Sequence, residues 1–176
     1  VLFRSINGTM TATNSMVRLD TTGKSTEEAS GKIIASSLAL KGSGGNHTLN
    51  SVTNNVSTIA ADTGRLSFVN AGALTVGTVN PVGITATGPV SISTVTGNLT
   101  ISQNITTTDT STSAIVLNAG TATAAGTSTG GDILLSGSPT ISTGSGGRAT
   151  FYSGSVSNTT SVAALVSAGN FRYGSN

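Results

Sequence analysis

The feature that most restricts this chain is the shortness of its aliphatic runs. From residue 33 onward they recur as brief alternating segments: SLAL at 37–40, HTL at 47–49, VSTI at 56–59, RLSFV at 65–69, ALTVGTV at 73–79, GITAT at 83–87, VSI at 90–92, NLTI at 98–101, AIVL at 114–117, DILL at 132–135 and ATFY at 149–152. Alternation with period two puts successive side chains on opposite faces, which is strand patterning. Gly, Asn, Pro or Asp stands between most segments, as at Gly42 to Asn46, Gly64, Asn80-Pro81, Gly88-Pro89 and Gly144 to Gly147, and these residues read as turns. No segment leaves room for a crossover helix. The stretch KSTEEASGKII at 24–34 is bracketed by Gly23 and Gly31 and carries no apolar stripe at helical spacing, so it reads as a polar loop between strands.

Spacing separates a solenoid from a sandwich. Leu38, Val56, Leu74 and Ile92 are three steps of 18 apart, Leu49, Leu66, Ile84 and Ile101 step by 17, 18 and 17, and Leu99, Ile115, Ile133 and Thr150 by 16, 18 and 17. This predicts an all-β, right-handed parallel β-helix with coils of roughly 17–18 residues, each stacked about 4.8 Å above the last and burying its inward aliphatics against its neighbours. A Greek-key sandwich accounts for the strands and turns but not for the register. In the solenoid, Leu74, Val76, Ile84, Ile92, Leu99, Ile101, Ile115, Leu117, Ile133 and Leu135 point inward, and Thr75 and Ser91 point out. Residues 1–32 form a more charged lead-in coil continuous with a repeat domain over 33–176, because eight of the fourteen charged side chains lie in residues 1–41.

Composition agrees. Ser and Thr supply 57 of 176 residues, Gly 23 and Asn 14, while aromatics are 3% and Cys and Trp are absent. A disulfide scaffold is excluded, and a core must be built from Val, Ile, Leu and Ala. Hydrophobic residues at 36% with charged residues at 8% are the reverse of the disordered signature. A net charge of +2 arises from scattered Lys and Arg and lacks the clustering that nucleic-acid binding needs. No run is long and apolar enough for a membrane span. The chain opens on Val1 without a leader pattern, so it reads as a fragment or a processed product.

The segment 33–102 resembles the repeat region of filamentous-haemagglutinin-like exoproteins, bacterial surface adhesins exported by two-partner secretion. The match is carried by LALKGSGG (38–45), NNVSTIAADTG (54–64), GALTVGTV (72–79), GITATGPVSI (83–92) and GNLTI (97–101), with GGRATFYSGSV (146–156) and SAGNFRYGSN (167–176) resembling a closing segment. The resemblance implies a β-helical shaft within a large secreted chain at the bacterial outer surface, used for attachment to a host-cell, glycan or neighbouring-cell surface, for aggregation or for biofilm formation. It implies no catalytic residue. The family's secretion domain carries an Asn-Pro-Asn-Gly type motif; here Asn80-Pro81-Val82-Gly83 lacks the second Asn and reads as a turn.

Candidate chemistry is sparse. Gly23-Lys24-Ser25 lacks the earlier Gly of a phosphate loop, since position 18 is Arg18. His47, the single histidine, sits in GGNHTL and reads as an exposed turn residue. Asp20, Asp62, Asp109 and Asp132 are too dispersed for a Ca²⁺ loop, and Asp132 reads as a turn residue. No catalytic, metal or cofactor residue is assigned, and the chain reads as a non-enzyme. Thr85/Thr87 and similar pairs keep open a third reading, an ice- or crystal-surface-binding solenoid. The principal rival to an adhesive shaft is a filament subunit that stacks end to end on its own kind. Phe151, Tyr152, Phe171 and Tyr173 form either a contact patch or a plug over the last coil.

Overall fold

The computed structural model describes residues 3–155, 157–163 and 165. The strands are β1 (Phe3–Ile6), β2 (Thr9–Asp20), β3 (Lys24–Glu27), β4 (Lys32–Leu49), β5 (Asn55–Asn70), β6 (Leu74–Val76), β7 (Ile84–Ala86), β8 (Val90–Thr94), β9 (Leu99–Ile101), β10 (Ile105–Thr107), β11 (Ile115–Asn118), β12 (Ile133–Leu135), β13 (Ile141–Ser142) and β14 (Ala149–Tyr152). Every pairing between them is parallel. Among the described residues the one helical piece is a single turn, α1 (Thr160–Ala163). The fold is a β-solenoid of stacked coils, as the alternation predicts.

Three faces wind around one filled core. One face stacks β2, β4, β5, β6, β9 and β12, the second β2, β4, β5, β7, β10 and β13, and the third β1, β3, β4, β5, β8, β11 and β14. The strands β4 and β5 are long enough to serve all three by bending at corners. Their glycines make the bends possible. Gly42 has φ 130° and its absent Cβ would strike the Thr21 carbonyl, while a Cβ on Gly64 would lie 2.6 Å from the Gly44 carbonyl carbon. The Gly42–Asn46 and Gly64 positions are therefore corners within continuous strands rather than breaks between strands.

The core is a set of aliphatic ladders. On the first face Val17, Leu38, Ile59, Val76, Ile101 and Leu135 stack in successive rungs, and on the second Leu19, Leu40, Ala61, Ile84, Ile105 and Ile141 do so. On the third Leu49, Phe68, Ile92, Leu117 and Phe151 form one ladder. Nine of the ten expected inward residues are buried, and Leu135, on the outermost rung, is half-buried. Thr75 and Ser91 lie on outward faces, partly exposed between their neighbours.

Two expectations need correction. The coil length is not a uniform 17–18 residues: the step from Ile59 to Val76 is 17, but Leu38 pairs with Ile59 rather than Val56, Leu74 with Leu99 rather than Ile92, and Ile84 with Ile105 rather than Ile101. The step is 21 residues from Leu38 to Ile59, 25 from Leu74 to Leu99 and 34 from Leu99 to Ile133. Each coil holds several inward aliphatics, so a step of 18 lands on another ladder's residue, and turns of unequal length abolish a fixed period. Second, Lys24–Glu27 is the strand β3 rather than a loop, because pairing with β1 on one side and β4 on the other overrides its weak intrinsic preference.

Candidate functional site

Two regions depart from a plain aliphatic solenoid: the outward faces of the middle coils and the interior of the first ones. Residues 66–108 contain no charged side chain, although about a quarter of the residues of an ordinary domain are charged. On the first face the outward row runs Ser37, Thr58, Thr75, Thr100. On the third it runs Thr26, Thr48, Ser67, Ser91. On the second face Thr85 stacks under Thr106, and the Thr108 hydroxyl donates to the Thr87 carbonyl at 3.2 Å, so two Thr-x-Thr rungs lie in register. That array ends after two rungs, with Asp62 below and Ser142 above. The lower coils differ: Asp20, Lys41 and Asp62 form an outward row of alternating charge. The Arg18 guanidinium, 2.8 Å from Asp20, holds that carboxyl below the usual carboxylate range. Farther along, in the turn after β10, the Ser111 hydroxyl and backbone N–H do the same for Asp109.

On the third face the interior of the first coils is polar, while Val17, Leu38 and Leu40 keep the other two faces aliphatic. Expected to be exposed, His47 is fully buried, because β4 continues through the Gly42–Asn46 corner and turns its ring inward. It takes the place in its ladder that Leu66, Val90 and Ile115 take above it, with Ser25 below. The Nδ1 atom shares a hydrogen with the Ser25 hydroxyl at 2.6 Å, and Nε2 has no partner among the described residues. Burial drives the imidazole below its ordinary value, partly opposed by the Lys41 carbonyl and the Asp20 carboxylate. Two residues along β3, Glu27 accepts hydrogen bonds at Oε2 from the Ser51 N–H (2.7 Å) and the Asn54 amide (3.1 Å), while Oε1 is enclosed without a partner among the described residues. Desolvation pushes this carboxyl up, against those two donors. An open depression of about 470 Å³ beside it is lined by Thr26, Glu27, Thr48 and Ser51 among others.

Asparagines close the corners, and they were not singled out from the sequence. Asn54 accepts from the Ile33 N–H at 2.7 Å. Asn70 accepts from the Val56 N–H and donates to the carbonyls of Val56, Gly72 and Ala73, all within 3.1 Å. Both are fully buried. The available signal was an Asn at a strand boundary beside a turn, before β5 for Asn54 and at its end for Asn70. Asp132 lies between a glycine turn and β12 as expected, but it is buried, and its carboxylate accepts from the Ser155 N–H (2.7 Å) and the Asn158 amide (3.1 Å).

The aromatic candidates separate. Phe151 packs on the core above Leu117, whereas Tyr152, next in the strand, is 47% exposed. Phe171 and Tyr173 lie outside the described residues. Among the described residues no three His, Cys, Asp or Glu side chains gather to hold a metal ion, and no helix is long and apolar enough to cross a membrane. Comparison with protein-family models, with curated proteins and with solved structures returns no match to this chain.

Proposed function

We propose that the chain is a structural and adhesive segment, a rigid β-helical shaft of a large secreted bacterial surface protein of the filamentous-haemagglutinin-like kind. It attaches to a host-cell, glycan or neighbouring-cell surface through extended faces rather than through a pocket. The observation that supports this most directly is the charge-free band over 66–108 with its outward Thr and Ser rows, since a flat neutral face meets another neutral surface without desolvating charge. Beads carrying the chain are expected to adhere to glycan- or cell-coated surfaces. Placing a single Glu at Thr75, in the middle of the outward row, is expected to weaken attachment while leaving the unfolding midpoint nearly unchanged. Beads that adhere to none of these surfaces overturn the adhesive reading.

A second reading, a subunit that stacks end to end, is favoured by the strand edges at the two ends. Among the described residues β1 and β2 at one end, and β13 and β14 at the other, each pair with a strand on one side alone. Exposed edges of this kind template a further parallel strand. Sedimentation over a concentration series separates the readings: open-ended growth supports the filament, and a monomer at every concentration rejects it.

A further inference from the structure

The buried Ser25–His47 pair lies at a weak seam. In the third face every rung above β4 puts aliphatic or aromatic side chains into the core, yet β3 contributes Ser25 and Glu27. The strand β3 has four residues, and β1 pairs with β3 alone. The neighbouring β2 is held differently, by Val17 on Leu38 and Leu19 on Leu40 over a longer pairing. In a solenoid, rungs are held by nearest neighbours, so an end rung can open without unwinding the rest.

We infer that β1 and β3 form a proton-released flap: protonation of His47 drives β3 off the Asn46–Leu49 edge, while the aliphatic ladders above stay closed. The ring is fully buried and Nε2 has no hydrogen-bond partner among the described residues, so a cation there lacks the solvation that opening restores. A proton from solvent on the imidazole is therefore retained mainly in the open form. The surrounding charges are Asp20 from β2, Lys24 and Glu27 from β3, Lys41 from β4 and Arg65 from β5, with Arg4 of β1 at the register position paired with Ser25. Asp20 and the Lys41 carbonyl favour the charged ring but do not reverse the effect of burial. Glu27 acts in the opposite sense, since acid neutralises its half-buried carboxyl and favours closure. Glu27 keeps two donors and some exposure, whereas His47 is fully buried with no partner at Nε2 among the described residues, and so His47 sets the response near neutrality. Release would bare a parallel strand edge at Asn46–Leu49, a surface to which another strand can add.

Hydrogen exchange resolved to single amides on the whole chain, corrected for the intrinsic effect of pH, tests this. Protection at 24–27 and 46–49 is expected to fall about tenfold per pH unit below about 6.5, with Ile84–Ala86 and Leu99–Ile101 unaffected. The His47→Leu variant, which continues the Leu66 ladder downward, should abolish that dependence, and Glu27→Gln should leave it in place. Protection that does not change with pH, that falls equally in His47→Leu, or that is lost uniformly along the chain overturns the proposal. Should His47→Leu fail to fold, the ring resonance of the single histidine still decides: titration at or above about 6.5 in the wild-type chain rejects the flap, and titration below it in step with loss of protection supports it.

Discussion

Single side chains divide into those that fill ladders and those that satisfy corners. Leu74 is buried in the core and pairs with Leu99 on the next rung, so Leu74→Ala is expected to lower the unfolding free energy by about 2 to 5 kcal/mol in urea titration. Thr75, one position on and facing out, should tolerate Ala to within about 0.5 kcal/mol. Asn70→Ala leaves the buried Val56 N–H and C=O without their side-chain partner and should cost about 1 to 3 kcal/mol. The two shifted core groups give opposed slopes. The folded form of His47 holds its proton less tightly than the unfolded chain, so its contribution is fully present above about 6.5 and is lost as pH falls below it. Glu27 is the reverse: the folded chain keeps a proton that the unfolded chain has released, so stability declines as pH rises from about 4.3 through the raised value. Midpoints measured from pH 4 to 8 should therefore lose their acid-side decline in His47→Leu and their rise toward acid in Glu27→Gln.

The strands and turns have unequal work to do. The four-residue β14 closes the third face by laying Phe151 over Leu117, and Asp132 ties the following segment down through Ser155 and Asn158. Asp132→Ala should raise hydrogen exchange and proteolysis at 153–159 well before the middle rungs are affected, because the tie is local and those rungs are held by their own ladders. Equal loss of protection over the whole chain would show that the end segment is part of one cooperative unit. The corner glycines belong to the same scale. Gly64→Ala forces a Cβ within 2.6 Å of the Gly44 backbone, a contact that no flexible side chain can relieve, and β5 can then bend there only by losing its register with β4.

Over the whole molecule the two halves differ in how they meet solvent. Eight of fourteen charged residues lie in 1–41, and none lies in 66–108. Nearest-neighbour stacking predicts that denaturant removes β1 and β3, with their polar interior, before the rungs held by aliphatic ladders. Far-ultraviolet and amide-resolved probes should then give non-coincident transitions, and a single coincident transition would show that the coils unfold together.

Much of the fold was legible in the sequence. Period-two alternation broken by Gly, Asn and Pro leaves short strands as the main option, and inward residues such as Leu74, Ile92, Leu99 and Ile115 could be named because alternation sets which side chains share a face. Residue identity also excluded disulfides and any dense cluster of charge. Pairing partners could not be read: with several inward aliphatics in each coil, Leu38 has equivalent-looking mates at Val56 and Ile59, and the corners and turn lengths that choose Ile59 act through space. The strand at Lys24–Glu27 and the burial of His47 belong to the same class. Both follow from neighbours far away in sequence, since a weak strand former pairs when edges flank it on both sides, and a histidine goes inside when the backbone turns at a corner before it. Tertiary structure alone decided those outcomes, because backbone pairing and exclusion of water are properties of stacked rungs and not of any local stretch of chain.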